Sequence, residues 1–270
     1  MNNILQIRHL TITRGQQTLC HDLSLTIELG DCWAVLGPNG SGKTTFLHTL
    51  SGHLVPQQGR LLLNNQPLSG LARRDIAKQI GILFQDSSYH FPQSVLEYCL
   101  AARFPHQSPF TTRHSNTDHA IMHKALATME LMHLAQKNIQ HLSGGEQRRA
   151  AIAALLIQSP TFFLLDEPAN HLDLHHQIHM MHVFAKLVQT RQHAVIMSLH
   201  DINLAARFCN KILMLFPDGT TLHGHRDDIL NTEYLSKLYQ HPIDVVHANA
   251  QTYWLPRHDR HRIEFQSESY

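Results

Sequence analysis

A glycine-rich segment, GPNGSGKT at residues 37–44, fits the phosphate-binding pattern G-x-x-x-x-G-K-[ST] without a mismatch. It follows WAVL at 33–36, a predicted buried strand, and it precedes a predicted helix over 44–51. A plain glycine-rich turn is the alternative, but the strand and helix favour phosphate, because backbone N–H groups, a lysine and a threonine can surround phosphates and Mg²⁺. The predicted nucleotide and Mg²⁺ site comprises Gly37, Pro38, Asn39, Gly40, Ser41, Gly42, Lys43, Thr44 and Thr45.

Two adjacent acids could supply the carboxylates that a phosphate loop lacks. The segment FFLLDEP at 162–168 predicts a central strand that ends in Asp166 and Glu167. Open α/β sheets bind their ligands at the C-terminal ends of the strands. We expect Asp166 to hold the Mg²⁺ shell and Glu167 to polarise a water towards the γ-phosphate. An acidic pair that merely caps a strand is the alternative.

Two further polar residues end predicted strands. His200 follows AVIMSL at 194–199, and Gln85 follows ILF at 82–84. The histidine could donate a hydrogen bond to a γ-phosphate oxygen, and the glutamine could ligate Mg²⁺ or hold the attacking water. Because the chain has 24 histidines, only its position singles out His200, and either residue could be a strand-end polar group.

A second element suited to phosphate lies in HLSGGEQRRA at 141–150. Ser143, Gly144 and Gly145 precede a helical run, so a hydroxyl and backbone N–H groups would lie at a helix N-terminus, which attracts anions. A chain that already has a phosphate loop raises the question of whose phosphate this element holds.

The elements that position these residues alternate between strands and helices. Alternating apolar residues predict half-buried strands at 4–12 and 23–29, and short apolar runs predict buried strands at 33–36, 60–64, 82–84, 162–165, 194–199 and 211–215. Helical periodicity at 94–103 and 119–134, around a polar stretch, predicts an inserted helical subdomain at about 88–158. The fold class expected is α/β: a P-loop NTPase core with a mostly parallel sheet, an antiparallel β portion and that insertion.

The C-terminal part predicts a helix at 227–240, a hairpin at about 242–255 and a polar tail. We therefore divide the chain into a nucleotide-binding domain, 1–240, and a C-terminal hairpin and tail, 241–270.

Composition argues against several classes of protein. The net charge is +1, from 22 basic and 21 acidic residues, so we expect no nucleic-acid partner. The longest apolar run, AAIAALLI at 150–157, is far shorter than the ~20 residues of a membrane span, and MNNILQIRHL lacks signal-peptide features. Four cysteines without paired spacing predict reduced, packed thiols: Cys20, Cys32, Cys99 and Cys209.

Together these segments resemble the nucleotide-binding subunit of ABC transporters from about residue 4 to residue 240. GPNGSGKT matches the Walker A loop and FFLLDE the Walker B strand with its catalytic Glu. Gln85 falls at the Q-loop, LSGGEQ at 142–147 is the signature sequence, NHLD at 170–173 resembles the D-loop, and His200 resembles the switch histidine. All occur in the family's order.

The resemblance implies an answer to the question of the second phosphate element. In this family two subunits pair head to tail and sandwich two ATP molecules, each between the phosphate loop of one chain and the signature of the other. The resemblance therefore implies a homodimeric ATPase that uses ATP and Mg²⁺, in which Ser143, Gly144 and Gly145 bind the partner's ATP.

One position departs from the family pattern. Relatives usually carry an aromatic residue, stacked on adenine, about two dozen positions before the Walker loop, whereas this chain has Arg14-Gly15 and no aromatic before Trp33. A guanidinium can stack on a base, so Arg14 could replace the ring, or it could be a solvated arginine.

The segment SVLEYCLAARFPH at 94–106 resembles a region of importers of iron-siderophores, haem and cobalamin, although Ala102 stands where these have Gly. The resemblance implies an ATPase on the cytoplasmic face of the inner (plasma) membrane, partnered by transmembrane permease subunits and indirectly by a substrate-binding protein. The permease's coupling helix would contact residues near 85–105. Alternatives are a soluble regulatory ATPase without a membrane partner and the ATPase of another importer or exporter class.

A histidine-rich segment, HLDLHHQIHMMH at 171–182, admits two interpretations. If it is helical, His171, His175, His179 and His182 share one face, and pairs spaced i,i+4 can chelate a metal. A polar helix face in a histidine-rich chain is the alternative, and we favour it.

Overall fold

The computed structural model describes residues 3–85, 89, 91–107, 114–249 and 251–257. The strands in these ranges are β1 (Ile4–Arg14), β2 (Gln17–Glu28), β3 (Cys32–Leu36), β4 (Gln58–Leu63), β5 (Gln66–Pro67), β6 (Ile80–Leu83), β7 (Phe162–Leu165), β8 (Ala194–Ser198), β9 (Lys211–Leu215), β10 (Thr221–His225), β11 (Ile243–Ala248) and β12 (Gln251–Pro256). The α-helices are α1 (Lys43–Leu50), α2 (Arg73–Gln79), α3 (Val95–Ala101), α4 (Asn116–Thr128), α5 (Gly144–Gln158), α6 (Leu174–Gln189), α7 (Ile202–Phe208), α8 (Arg226–Ile229) and α9 (Thr232–Tyr239).

A six-stranded sheet in the order β10-β9-β3-β8-β7-β6 forms the centre of the fold. Strands β9, β3, β8, β7 and β6 run parallel, and β10 pairs antiparallel with β9. The predicted mostly parallel sheet is therefore confirmed. Because these strands share one direction, the C-terminal ends of β3, β8, β7 and β6 lie side by side along one edge.

Both faces of this sheet are buried. Leu164 and Ile196 face a hydrophobic cluster that includes α1 and the antiparallel strands, while Phe163 and Val195 face the cluster formed with the other helices. Strands covered on both sides need apolar residues at every position, which explains the continuous run FFLL in β7.

A four-stranded antiparallel sheet, in the order β2-β1-β4-β5, covers one face of the central sheet. Strand β2 alternates between buried and exposed residues over much of its length, as expected where one face meets solvent. The predicted antiparallel β portion is confirmed.

Helices α3, α4 and α5 follow β6 and precede β7 in the chain. They are accompanied by 3₁₀ turns at Phe104–His106, Met132–Leu134 and Ile139–His141. Ser94 and Ser115 cap the N-termini of α3 and α4 in capping boxes. The Glu97 and Asp118 carboxylates accept a hydrogen bond from the backbone N–H of the capping serine. The inserted helical region is thus present. Its boundary at about 88–158 stays a prediction, and residues 88 and 108–113 lie outside the described residues.

Two predicted helices are interrupted. The helix predicted at 119–134 ends as α4 at Thr128, because Glu130 adopts a left-handed conformation with φ of 55°. The helix predicted at 227–240 is two helices, since Leu230 is extended and the Asn231 side chain caps α9 by accepting a hydrogen bond from the Tyr234 N–H at 2.8 Å.

The histidine-rich segment is only partly helical. Asp173 caps α6, so His171, with φ of 63°, precedes the helix and does not share its face. Nε2 of His179 lies 2.6 Å from the carbonyl oxygen of Thr128. In the part of the chain that the structure describes, no three His, Cys, Asp or Glu side chains are grouped to hold a metal ion.

The C-terminal hairpin pairs β11 with β12, and the side-chain amide of Asn203 on α7 holds both backbone groups of Trp254 at 2.8 and 3.2 Å. The predicted polar tail from residue 258 lies outside the described residues. All four cysteines are buried free thiols, as predicted, and no described helix is long and apolar enough to cross a membrane.

Candidate nucleotide site

The glycine-rich loop connects β3 to α1. Gly42 has φ of 98°, and a Cβ atom there would lie 2.8 Å from Cβ of Leu19. Only glycine meets both demands without strain, so the loop keeps its tight turn into the helix. Amides at this helix N-terminus face outward with the positive end of the helix dipole, which suits phosphate.

The lysine of the loop is buried inside it. Lys43 is 5% exposed, and its Nζ donates hydrogen bonds to the carbonyl oxygens of Gly37 at 2.8 Å and Pro38 at 3.1 Å. Burial lowers the pKa of Lys43, and the carboxylates of Glu167 and Asp166 oppose that shift. The ammonium group therefore lies at the mouth of the loop, next to the acids of β7.

The other predicted loop residues surround this lysine. Asn39 and Gly40 are exposed at the tip, Ser41 is buried, and Thr44 and Thr45 are half-buried in the first turn of α1. The exposed tip leaves the loop open towards a ligand or a second molecule.

Asp166 follows β7 and is fully buried. Oδ1 accepts a hydrogen bond from the Ser198 hydroxyl at 2.7 Å, whereas Oδ2 is a buried oxygen without a hydrogen-bond partner in the described residues. A buried charge without a partner is costly unless a cation neutralises it. This oxygen donor therefore fits a hard divalent cation such as Mg²⁺.

Glu167 is held by three groups. Nε2 of His200 lies 2.6 Å from Oε1, the Asn170 side-chain amide donates to Oε2 at 2.5 Å, and the Glu167 N–H donates to Ser198 Oγ at 2.8 Å. Its backbone is left-handed, with φ of 45°, which is uncommon for a residue other than glycine. The fixed carboxylate has the chemistry of a general base for water.

The sheet brings the predicted catalytic residues together. Reading along the edge, the glycine-rich loop follows β3, His200 follows β8, Asp166 and Glu167 follow β7, and Gln85 follows β6. The Gln85 side chain is exposed, on the outermost of these strands.

Sequence reasoning missed Ser198 and Asn170. Ser198 is fully buried and links Asp166 to the Glu167 amide, so it positions both acids. A lone polar residue inside the apolar run AVIMSL was the available signal. Asn170 showed only as part of NHLD, and its contact with Glu167 depends on the tight turn after β7.

Ser143 of the signature segment caps α5, which precedes β7 in the chain, whereas the glycine-rich loop follows β3. Ser143 Oγ donates to Glu146 Oε2 at 2.8 Å and accepts from the Glu146 N–H at 3.3 Å, and the Ser143 bonds lower the pKa of Glu146. A Cβ on Gly145 would lie 2.9 Å from the carbonyl oxygen of His171, so this position must remain small. The Gly144 and Gly145 amides make no hydrogen bond within the described ranges.

Arg14 ends β1 and is exposed beside the turn that leads to β2. Its backbone pairs with Gln17 across that turn. Gln17 lines one cavity together with Pro38, Asn39 and Gly40 of the glycine-rich loop.

Comparison with known proteins gives the family. The family model described as "ABC transporter" matches residues 20–170, more than half of the chain. The hemin import ATP-binding protein HmuV of Escherichia coli O157:H7 is 35% identical over 249 residues, which cover 90% of this chain and 94% of the relative. The ferric enterobactin transport ATP-binding protein FepC of Escherichia coli K12 is 32% identical over 87% of this chain and 86% of its own.

Solved structures agree with this. An inward-facing metal-chelate type ABC transporter is 28% identical, with a TM-score of 0.81 over 95% of this chain and 98% of that chain. A dimeric bacterial ABC transporter cassette is 26% identical, with a TM-score of 0.71 over 82% of this chain and 98% of that chain. The glycine-rich loop, the acidic strand end and these likenesses lead to one conclusion: the chain belongs to the ABC transporter ATP-binding proteins and is an ATP-binding ATPase of that family.

Proposed function

We propose that this ATPase energises a membrane importer for a metal chelate of the iron-siderophore, haem or cobalamin type. The observation that carries the proposal is the row of groups along the sheet edge, in a chain with 35% identity to a hemin import ATP-binding protein. The ferric enterobactin transport relative and the metal-chelate type transporter support the same cargo class.

In this proposal the residues along the sheet edge have separate roles in ATP hydrolysis. The loop from Gly37 to Thr45 binds the phosphates, Lys43 pairs with the outer ones, and Thr44, Gln85 and Asp166 would hold Mg²⁺. When bound, Mg²⁺ would supply positive charge that offsets the charge of the phosphate oxygens. Glu167 accepts a proton from the attacking water, and His200 stabilises the γ-phosphate once its contact with Glu167 opens.

The signature segment supports a dimer as the active unit. Ser143 and the free Gly144 and Gly145 amides form an anion site at the N-terminus of α5, which has 15 residues. The chain's own phosphate loop follows β3, two strands away from β7 in the sheet. In our proposal two copies pair head to tail, so that each signature closes over the ATP of the other copy.

The permease partner would contact the surface near residues 85–105. Exposed apolar side chains occur there and on the loop after α1: Phe91 is 77%, Phe104 69% and Val55 93% exposed. Such side chains in water mark an interaction surface when they cluster. We propose that a helix of the permease covers them, which holds the ATPase at the cytoplasmic face of the membrane and couples it indirectly to a substrate-binding protein.

Uptake measurements test the cargo. In cells that lack the chromosomal copy, we expect the wild-type chain to restore uptake of labelled haem, ferric siderophore or cobalamin. Glu167→Gln abolishes it, and Glu233→Gln, the same change on the exposed face of α9, retains it. Unchanged uptake of all three chelates in cells without the protein would contradict the importer proposal.

A second experiment tests the docking surface. Phe104→Ser should leave ATP hydrolysis by the purified protein within about twofold of wild type, because the residue lies outside the sheet edge. The same variant should lose co-purification with the permease from membranes at two copies per transporter. Retention of the variant on membranes at the wild-type ratio would exclude this surface.

A further inference from the structure

One buried arginine connects the signature helix to both catalytic loops. Arg148 lies in the second turn of α5, is 5% exposed, and donates hydrogen bonds from its guanidinium to backbone carbonyl oxygens. The acceptors follow two neighbouring strands: Phe84 at 2.5 Å and Gln85 at 3.2 Å after β6, and Asp166 at 2.5 Å, Glu167 at 2.7 Å and Pro168 at 3.4 Å after β7.

The next residue of the helix provides a contrast. Arg149 is 8% exposed and also donates to carbonyl oxygens, those of Met129 at 2.9 Å and Glu130 at 3.2 Å, beyond the end of α4. Two adjacent arginines, both buried, therefore serve different regions. Arg149 ties α5 to the inserted helices, while Arg148 ties it to the catalytic edge.

The geometry requires a guanidinium. Its N–H donors fan out in one plane and can reach several carbonyl groups at once, whereas a lysine ammonium is a compact point charge. Three of the carbonyls it binds belong to Gln85, Asp166 and Glu167, whose side chains contact the water and the metal in the proposed mechanism. Glu167 keeps its uncommon left-handed backbone with this guanidinium bound to its carbonyl oxygen.

We propose that Arg148 is a positioning residue for hydrolysis, which fixes the backbone of Gln85 and Glu167 relative to the signature helix. The inference rests on the proposed dimer. Gly144, at the start of the same helix, would bind the partner's ATP one turn before Arg148. Movement of α5 on that ATP therefore shifts the carbonyls of Gln85 and Glu167, so each nucleotide site reports its occupancy to the other.

The test compares Arg148→Lys with Arg149→Lys. We expect Arg148→Lys to lower kcat by 10- to 100-fold, because displacement of a catalytic group by about 1 Å costs that much. KM and the equilibrium affinity for ATP should stay within twofold. The cooperative dependence of the rate on ATP, which the proposed dimer predicts for the wild type, should be lost. Arg149→Lys should keep kcat and cooperativity within twofold, even if its Tm falls as far as the Tm of Arg148→Lys.

A second pair of variants removes each guanidinium instead of replacing it with a lysine ammonium. Millimolar guanidinium ion should restore part of the kcat of Arg148→Ala and none of any loss in Arg149→Ala. Equal kcat losses in the two lysine variants, wild-type kcat in Arg148→Lys, or failure of both Arg148 variants to fold would overturn the inference and leave a structural role. A wild-type protein that never dimerises with ATP would instead refute the proposed dimer.

Discussion

At the scale of single residues, the site depends on contacts that hold the acids still before any nucleotide chemistry. Glu167 is bound at both carboxylate oxygens by His200 and Asn170, and its amide is bound by Ser198. His200 cannot contact a γ-phosphate while its Nε2 faces Glu167. We therefore expect this contact to open when ATP and the partner close over the site.

At this scale we predict the effect of replacing Arg14 on the KM for ATP. If its guanidinium stacks on adenine, Arg14→Ala raises KM for ATP by roughly 5- to 100-fold, since a base stacked on a planar side chain is worth about 1–3 kcal/mol. The value of kcat should not change, and Arg14→Tyr should restore KM. Steady-state hydrolysis measures both constants, with Arg8→Ala on the same strand as the control. An unchanged KM would make Arg14 a solvated arginine.

Motif residues could be predicted because their chemistry limits the residue types. The loop at 37–44, Asp166 and Glu167 have types and spacings that few other roles need. Ser198, Asn170 and Arg148 could not be identified in this way, because serine, asparagine and arginine have many uses. Their roles depend on hydrogen bonds to backbone groups of other strands, which a single sequence does not display.

At the scale of elements, a largely buried ion pair joins the inserted helices. Arg103 after α3 donates from Nε to Asp118 Oδ1 at 2.7 Å and from Nη1 to the Ile157 carbonyl oxygen at the end of α5. Burial raises the pKa of Asp118, but hydrogen bonds from Ser115 and Arg103 outweigh it and lower the pKa to about 2. The ionised form is thus favoured by folding.

We predict that Asp118→Asn lowers the free energy of unfolding at pH 7 by about 1–3 kcal/mol, because it weakens a helix cap and leaves Arg103 without its anion. The folded-state pKa lies below the unfolded value of about 4, so the ionic stabilisation is complete above pH 4 and is lost as pH falls towards 2. Denaturant unfolding at pH 7 and at pH 2.5 should show the difference shrinking. A difference that is independent of pH would contradict this explanation.

Element types were predictable where an unbroken apolar run marked a buried strand, as in FFLL and AVIMS. The ends of helices were not, since Glu130 and Leu230 break helices through backbone conformations that composition does not reveal. Short elements were missed for a different reason. Helix α7 has seven residues and β10 five, too few to develop a clear period.

At the scale of the whole molecule, the proposed catalytic unit consists of two copies of this chain. The phosphate loop and the acids follow neighbouring parallel strands and meet along one edge of the sheet, whereas the signature begins α5. In our proposal a second chain supplies the phosphate that the signature binds. Head-to-tail pairing would complete two sites at once. ATP would then favour the closed dimer, and hydrolysis would release it.

Sedimentation velocity of Glu167→Gln tests this most directly. Without an effective base, the variant should bind ATP and Mg²⁺ without splitting it, so we predict a stable species of twice the monomer mass with ATP and a monomer with ADP. Lys43→Ala in the same background should remain monomeric with either nucleotide. If Glu167→Gln stays monomeric at saturating ATP while the wild type hydrolyses ATP at a constant rate per molecule at every protein concentration, the sandwich dimer is wrong.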